Sequence, residues 1–324
     1  MDVGSSGNMS NEPKMNHKKW KMAMDVMQLN FISQGTRCAG TLQLPEQNSK
    51  PPIIIMAQGF GMIKEAGLPQ FAERFVKQGY AVFSFDYRSF GESDGYPRHW
   101  VSPKRHLQDW KAALDFVRTL TSVDQQNIIL WGYSFSGGHV IQTAAGDGQV
   151  KAVILQAPHV NGMASLKGVP LSKLAKLSLA GFMDLFGGIV NKPVYRPIIG
   201  HENDIAAMTT VDAWDGYLSL LPQNANWENK TRARIFLEVA NYNPIRFVHK
   251  LTMPTLVITG QNDTVIAEQM VRNAAQKMPN SEYFLLNSNH FELCTGQIFE
   301  QNIALQIDFL SNHCPIHAEM NSAA

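Results

Sequence analysis

Disulfide scaffolds, zinc knuckles and membrane spans each leave marks that this sequence lacks. Its 3 cysteines, Cys38, Cys294 and Cys314, are odd in number, widely spaced and without a Cys-x-x-Cys pair, which excludes a disulfide framework and a zinc knuckle. No apolar run reaches the ~18 residues of a membrane span, and the N-terminus lacks the apolar centre of a secretion signal. Charge of one sign is missing too. With 28 Lys+Arg against 27 Asp+Glu the net charge is +1, so no global field recruits nucleic acid or an anionic membrane. No cofactor is expected either: Gly59-Phe60-Gly61 lacks the third glycine of a dinucleotide loop, and no Gly-Lys-Ser or Gly-Lys-Thr occurs. His313 and His317 stand at helical spacing, but Pro315 interrupts the helix that would aim them at one metal. The expectation is an unexported, cytoplasmic protein acting on a small, neutral molecule.

What the chain does have is an α/β rhythm. Residues 1–20 are polar and small and read as a flexible tail. Val26–Phe31 and Thr36–Leu44 flank Ser33-Gln34-Gly35 as a hairpin would. Ile53–Ala57, Tyr80–Phe85, Asn127–Trp131, Val150–Gln156, Pro254–Gly260 and Tyr283–Leu286 are apolar stretches, mostly without alternation, as strands covered on both faces require. Between them, helical spacing predicts helices over Leu68–Gln78, Ser102–Leu120, Ala267–Lys277 and Gln297–Phe309. That alternation predicts a mostly parallel sheet with helices on both faces. It breaks between about 159 and 240, where Gly, Pro and Met accumulate, so a mainly helical cap insertion is expected there, with a core of 21–158 and 241–314.

The chemistry centres on Trp131-Gly132-Tyr133-Ser134-Phe135-Ser136-Gly137-Gly138, where a buried strand stops at a small-residue turn carrying one serine and becomes a helix. This is the layout of a nucleophile elbow, Gly-x-Ser-x-Gly, with Ser136 in the final position and Gly137 one place later. A serine hydroxyl needs a base, and the base needs an acid to orient it. Asp263 follows one buried strand and His290 the next, at the sheet edge where ligands of parallel sheets bind. Serine, aspartate, histidine is the chain order expected with such an elbow. Competing histidines lose on position: His139 follows the elbow too closely, His249 sits on a predicted helix, and His313 and His317 fall in the C-terminal tail. His159 and His201, in or near the cap, could line the pocket. Asp308 and Glu268 lie on predicted helices. The oxyanion of acyl transfer needs preorganised N–H donors, for which the amides of Phe135 and Phe60 are the candidates.

These motifs, with Gln58-Gly59-Phe60-Gly61, the loop from Asp86 to Gly95, Gly260-Gln261-Asn262-Asp263 and His290-Phe291, resemble the α/β-hydrolase superfamily over residues 25–312. Within it the chain is similar to the esterase and dienelactone-hydrolase-like branch, which shades into bacterial relatives of X-prolyl peptidases and fungal polyketide transferases. The resemblance implies Ser134 as nucleophile, Asp263 as acid, His290 as base, and Phe60 and Phe135 as oxyanion donors, with the Asp86–Gly95 loop in support. Two positions depart from the pattern. Ser136 replaces the usual glycine, and the nucleophile is serine where dienelactone hydrolases use cysteine. The implied activity is hydrolysis of an ester or thioester through an acyl-enzyme. Alternatives are an acyltransferase, an X-prolyl-type peptidase, for which no amine-anchoring acidic pocket can be read, and a non-catalytic binding protein of the same fold. Phe182, Met183, Phe186 and Trp214 of the cap are the expected substrate contacts. Oligomeric state stays open, a homodimer among the options.

Overall fold

In the computed structural model, which describes residues 25–46 and 50–316, Gln34 and Gly35 take φ of 48° and 74°. Both central residues of the turn are left-handed, as a tight two-residue hairpin requires. The turn joins β1 (Asp25–Ser33) to β2 (Thr36–Leu44), antiparallel, with Ser33 opposite Thr36. The tail expected at 1–20, and His317, lie outside the described residues.

Alternation then sets in: β3 (Pro52–Ala57), α1 (Leu68–Lys77), β4 (Ala81–Phe85), α2 (Pro103–Val117), β5 (Asp124–Tyr133), α3 (Phe135–Asp147) and β6 (Ala152–Gln156). An insertion of α4 (Gly162–Ser165), α5 (Leu171–Gly187), β7 (Tyr195–Arg196), α6 (Ala213–Ser219), β8 (Thr231–Arg232) and α7 (Ile235–Glu238) follows. The core closes with β9 (Thr255–Gly260), α8 (Glu268–Ala275), β10 (Ser281–Leu286) and α9 (Gly296–His313). The eight-stranded sheet has the order β1-β2-β4-β3-β5-β6-β9-β10, antiparallel where β2 meets β1 and β4 and parallel elsewhere. β3, β4, β6 and β9 are buried at every position, because helices cover both faces, and this is why their sequences are apolar without alternation. On one face Phe71 of α1 meets Phe299 of α9 edge-on at 4.8 Å between ring centres. Each such ring, taken out of water, contributes about 1.5–3 kcal/mol.

Among the element ends that differ from the sequence expectation, three have a plain physical cause. β10 begins at Ser281, since its backbone pairs with Thr255 whatever the polarity of Ser281 and Glu282. α9 runs on to His313, which therefore ends a helix, where it contacts Glu282 at 2.7 Å, instead of belonging to a tail. Ser102 precedes α2 with extended φ and ψ but leaves the helix end uncapped, because its hydroxyl donates to Glu238 of the insertion at 2.7 Å.

The insertion is mainly helical and carries one short antiparallel ribbon, Tyr195 opposite Arg232. Asp184 of α5 is its electrostatic centre. Its carboxylate, fully buried, accepts from Arg232 at 2.8 Å, Arg234 at 2.9 Å and the amide of Val194 at 2.8 Å. The guanidiniums of Arg232 and Arg234, with that of Arg105 from α2, surround the Trp100 ring at 4.4–4.7 Å, and the Arg232 amide donates to the His99 carbonyl at 2.9 Å. These contacts tie the insertion to the core. Replacing Asp184 by Ala leaves the buried Arg232 and the half-buried Arg234 without their anion, and a loss of about 3–5 kcal/mol is expected in urea denaturation. A loss below ~1 kcal/mol would show that the network does not anchor the insertion.

Candidate active site

Ser134 sits between the last residue of β5 and the first of α3 with φ 57° and ψ −121°, a conformation that an L-residue avoids. Neighbouring contacts hold it there. Its amide donates to the Gln156 carbonyl at 2.9 Å, and its own carbonyl accepts from His159 at 2.8 Å and Gly137 at 3.0 Å. The crossing of strand and helix leaves no space for side chains: a Cβ at Gly132 would lie 2.8 Å from the Ser136 carbonyl oxygen, and one at Gly137 2.7 Å from Pro158. Ser136 is tolerated because its own side chain points elsewhere. Its hydroxyl accepts from Tyr87 at 2.9 Å, and Tyr87 accepts from the Trp110 indole at 2.9 Å, so the Asp86–Gly95 loop braces the turn from behind.

Over the same edge of the sheet, His290 Nε2 lies 3.0 Å from Ser134 Oγ and His290 Nδ1 lies 2.6 Å from Asp263 Oδ2. A carboxylate can only accept, so Nδ1 carries the proton and Nε2 offers its lone pair to the serine hydroxyl. Asp263 is oriented by the amides of Val265 and Ile266, which donate to its other oxygen at 2.8 and 2.6 Å. The His290 ring stacks on Tyr133, whose hydroxyl donates to the His290 carbonyl at 3.1 Å. The three side chains predicted from strand-end positions thus form one unbroken Ser–His–Asp array, nearly closed to solvent.

Residues 50–288 match the family described as serine aminopeptidase, S33. The chain belongs to this family of α/β-hydrolases. Among relatives of this S33 hydrolase, the quorum-quenching protein AidA of Acinetobacter baumannii (strain MDR-ZJ06) is 37% identical over 292 residues, 90% of this chain and 96% of its own. Polyketide transferase af380 of Aspergillus fumigatus is 28% identical over 81% of this chain and 90% of its own. The solved structure of the α/β hydrolase GrgF from Penicillium sp. sh18 shares the fold, with a TM-score of 0.80 at 23% identity over 90% of this chain and all of that one.

The S33 hydrolase adds contacts that the sequence did not reveal. Tyr217 of α6 donates to the Phe60 carbonyl at 2.9 Å, and the Trp227 indole donates to the Gly61 carbonyl at 2.9 Å. α6 also touches the other two loops: Thr264, next to Asp263, donates to Asp212, and Gly216 packs closely on Phe291, next to His290. Sequence separation hides all of these, since Phe60 and Tyr217 are 157 residues apart. Gln58 holds the glycine loop from beneath by accepting from the Gly59 amide at 3.0 Å and donating to the Ala66 carbonyl. Phe60 and Phe135 face each other edge-on at 5.3 Å.

The remaining candidates are not drawn into the array. Phe182, Met183 and Phe186 are exposed on α5, and Trp214 stacks on the exposed His201 at 4.6 Å. His249 lies in a single helical turn, Val248–Lys250. Asp308 lies on α9, and Glu268, which opens α8, pairs with Arg272. The carboxylates of Glu65, Asp86 and Glu92 are close enough together to hold a metal ion, but the Lys64 ammonium sits among them, 2.5 Å from Glu65 and 3.3 Å from Asp86. His106, His139 and His159 form a buried cluster behind Phe135, with His139 3.2 Å from His106 and 2.6 Å from the Tyr242 hydroxyl. Burial pushes all three below the usual imidazole range, His159 to about 4.

An unfolded imidazole titrates near 6.5, whereas that of His159 waits until about 4, so between those values only the unfolded chain takes up the proton. Stability therefore falls as pH drops through that window and levels off below it, by about 3 kcal/mol for this group. In urea denaturation across pH 7 to 4, His159→Gln is expected to lose that share of the slope. A variant with the wild-type slope would exclude His159 as a buried neutral base.

Proposed function

We propose that this enzyme cleaves a carboxylic ester or thioester of a small molecule through an acyl-enzyme. The observation that carries this reading is the continuous relay from Asp263 through His290 to Ser134, with heavy-atom distances of 2.6 and 3.0 Å. We read the strained turn as a nucleophile elbow: Ser134 Oγ attacks the acyl carbon while His290 Nε2 takes its proton, and Asp263 stabilises the imidazolium that results. The backbone N–H groups of Phe60 and Phe135 receive the oxyanion. Collapse of the tetrahedral intermediate sends the alcohol or thiol away with the proton from His290. Water, activated by the same imidazole, then attacks the acyl-enzyme, and the acid leaves. Trp214 would meet the apolar part of the substrate. The three cysteines, free and buried, support a cytoplasmic location.

Acyl transfer to an alcohol or amine is the second reading, supported by relatives named polyketide transferases, of which af380 is one. It uses the same acyl-enzyme and differs only in the nucleophile that ends it.

Ser134→Ala is expected to abolish labelling by a fluorophosphonate and to cut turnover of a short p-nitrophenyl ester by ~10⁴ or more, with an unchanged circular dichroism spectrum. Undiminished turnover would end the proposal. Product analysis with competing alcohols and amines separates hydrolysis from transfer. Tyr217→Phe removes the hydroxyl that steadies the Phe60 peptide, so kcat should fall roughly tenfold with KM changed less than about twofold. An equal kcat would mean that the Phe60 loop holds its donor without help.

A further inference from the structure

Helices of folded domains turn one apolar stripe inward. α5 has two. Leu177, Ala180, Gly181 and Asp184 are buried, with Gly181 against Leu237 of α7. On the opposite side Leu179, Phe182 and Phe186, three and four residues apart, stand in solvent, and Ile189, 80% exposed, continues the stripe past the end of the helix. Of the fifteen exposed large hydrophobic side chains among the described residues, nine fall between Met163 and Val190. Such crowding is a patch, not the single scatter of an ordinary surface.

Charge is segregated over the same stretch. Lysine, arginine and acidic residues between 161 and 200 are Lys167, Lys173, Lys176, Asp184, Lys192 and Arg196, and the one carboxylate is fully buried in ion pairs. Lys173 donates to Thr209, whereas Lys167, Lys176 and Lys192 are exposed and make no ion pair among the described residues. A net charge of +1 over the whole chain conceals this local excess.

We infer that the outward face of α5 docks on an anionic lipid surface. Leu179, Phe182, Phe186 and Ile189 enter the acyl boundary, while the lysines around them extend their chains to the phosphates. A second copy of the chain fits less well. Pairing this patch with itself across a two-fold axis would set lysines against lysines, and the exposed carboxylate next to them, Asp204, already faces Lys173 of its own chain.

The test is co-sedimentation of the full-length enzyme with phosphatidylcholine vesicles, with and without about one-third phosphatidylglycerol, alongside hydrolysis of a soluble p-nitrophenyl ester. The wild type is expected on the anionic vesicles only, and to be released as salt rises. Leu179→Gln combined with Ile189→Gln should weaken that binding at least tenfold, and Lys176→Glu roughly fivefold. Both variants should keep wild-type hydrolysis of the soluble ester, which separates loss of docking from loss of folding or of the catalytic reading. Equal binding to both vesicle types, no binding to either, or a wild-type dimer in sedimentation equilibrium that the double variant splits would overturn the inference.

Discussion

Ser134 keeps a backbone conformation that costs of order 1–3 kcal/mol, and everything catalytic in this molecule depends on the surroundings that enforce it. The enforcement is steric and polar together. Gly132 and Gly137 let β5 and α3 cross so closely that the turn has no room to relax, and β6 supplies the acceptor for the serine amide through Gln156. Tyr87 then fixes the one position, Ser136, where a side chain intrudes. With the hydroxyl so placed, the two neighbouring strand ends need only deliver an imidazole and a carboxylate to complete the relay.

Around this rigid edge the molecule sorts its polar groups by task. His106, His139 and His159 are kept neutral by burial and fill space behind Phe135, so their chemistry is structural although three imidazoles lie near the nucleophile. Lys64 neutralises carboxylates that would otherwise repel one another. Asp184 collects two arginines within the insertion, and Trp100 takes both guanidiniums against its ring, which adds a polar fastening to the apolar contact that Ile198, Tyr217 and Ile235 make with the core.

Much of this was legible in the sequence for a simple reason. A strand covered on both faces must be apolar throughout, so Ile53–Ala57 and Thr255–Gly260 announced themselves, and the residues just beyond them had to lie at one edge of the sheet. Asp263 could therefore be placed without coordinates, and His290 followed from the next apolar run, Tyr283–Leu286, although that run proves to be a half-buried edge strand and not one covered on both faces. The insertion obeys no such periodic rule. Its order comes from pairs distant in sequence, such as Asp184 with Arg232 and Tyr217 with Phe60, and neither composition nor spacing distinguishes those partners from other residues of the same type. The apolar run around Phe182 shows the same limit, because hydrophobicity alone predicts a buried wall, and the structure turns it outward.

The short helix Ala213–Ser219, with Asp212 just before it, touches the glycine loop, the aspartate loop and the histidine loop at once. Displacing that one helix would therefore slacken all three loops together, so a change at any one of these contacts reaches the whole relay.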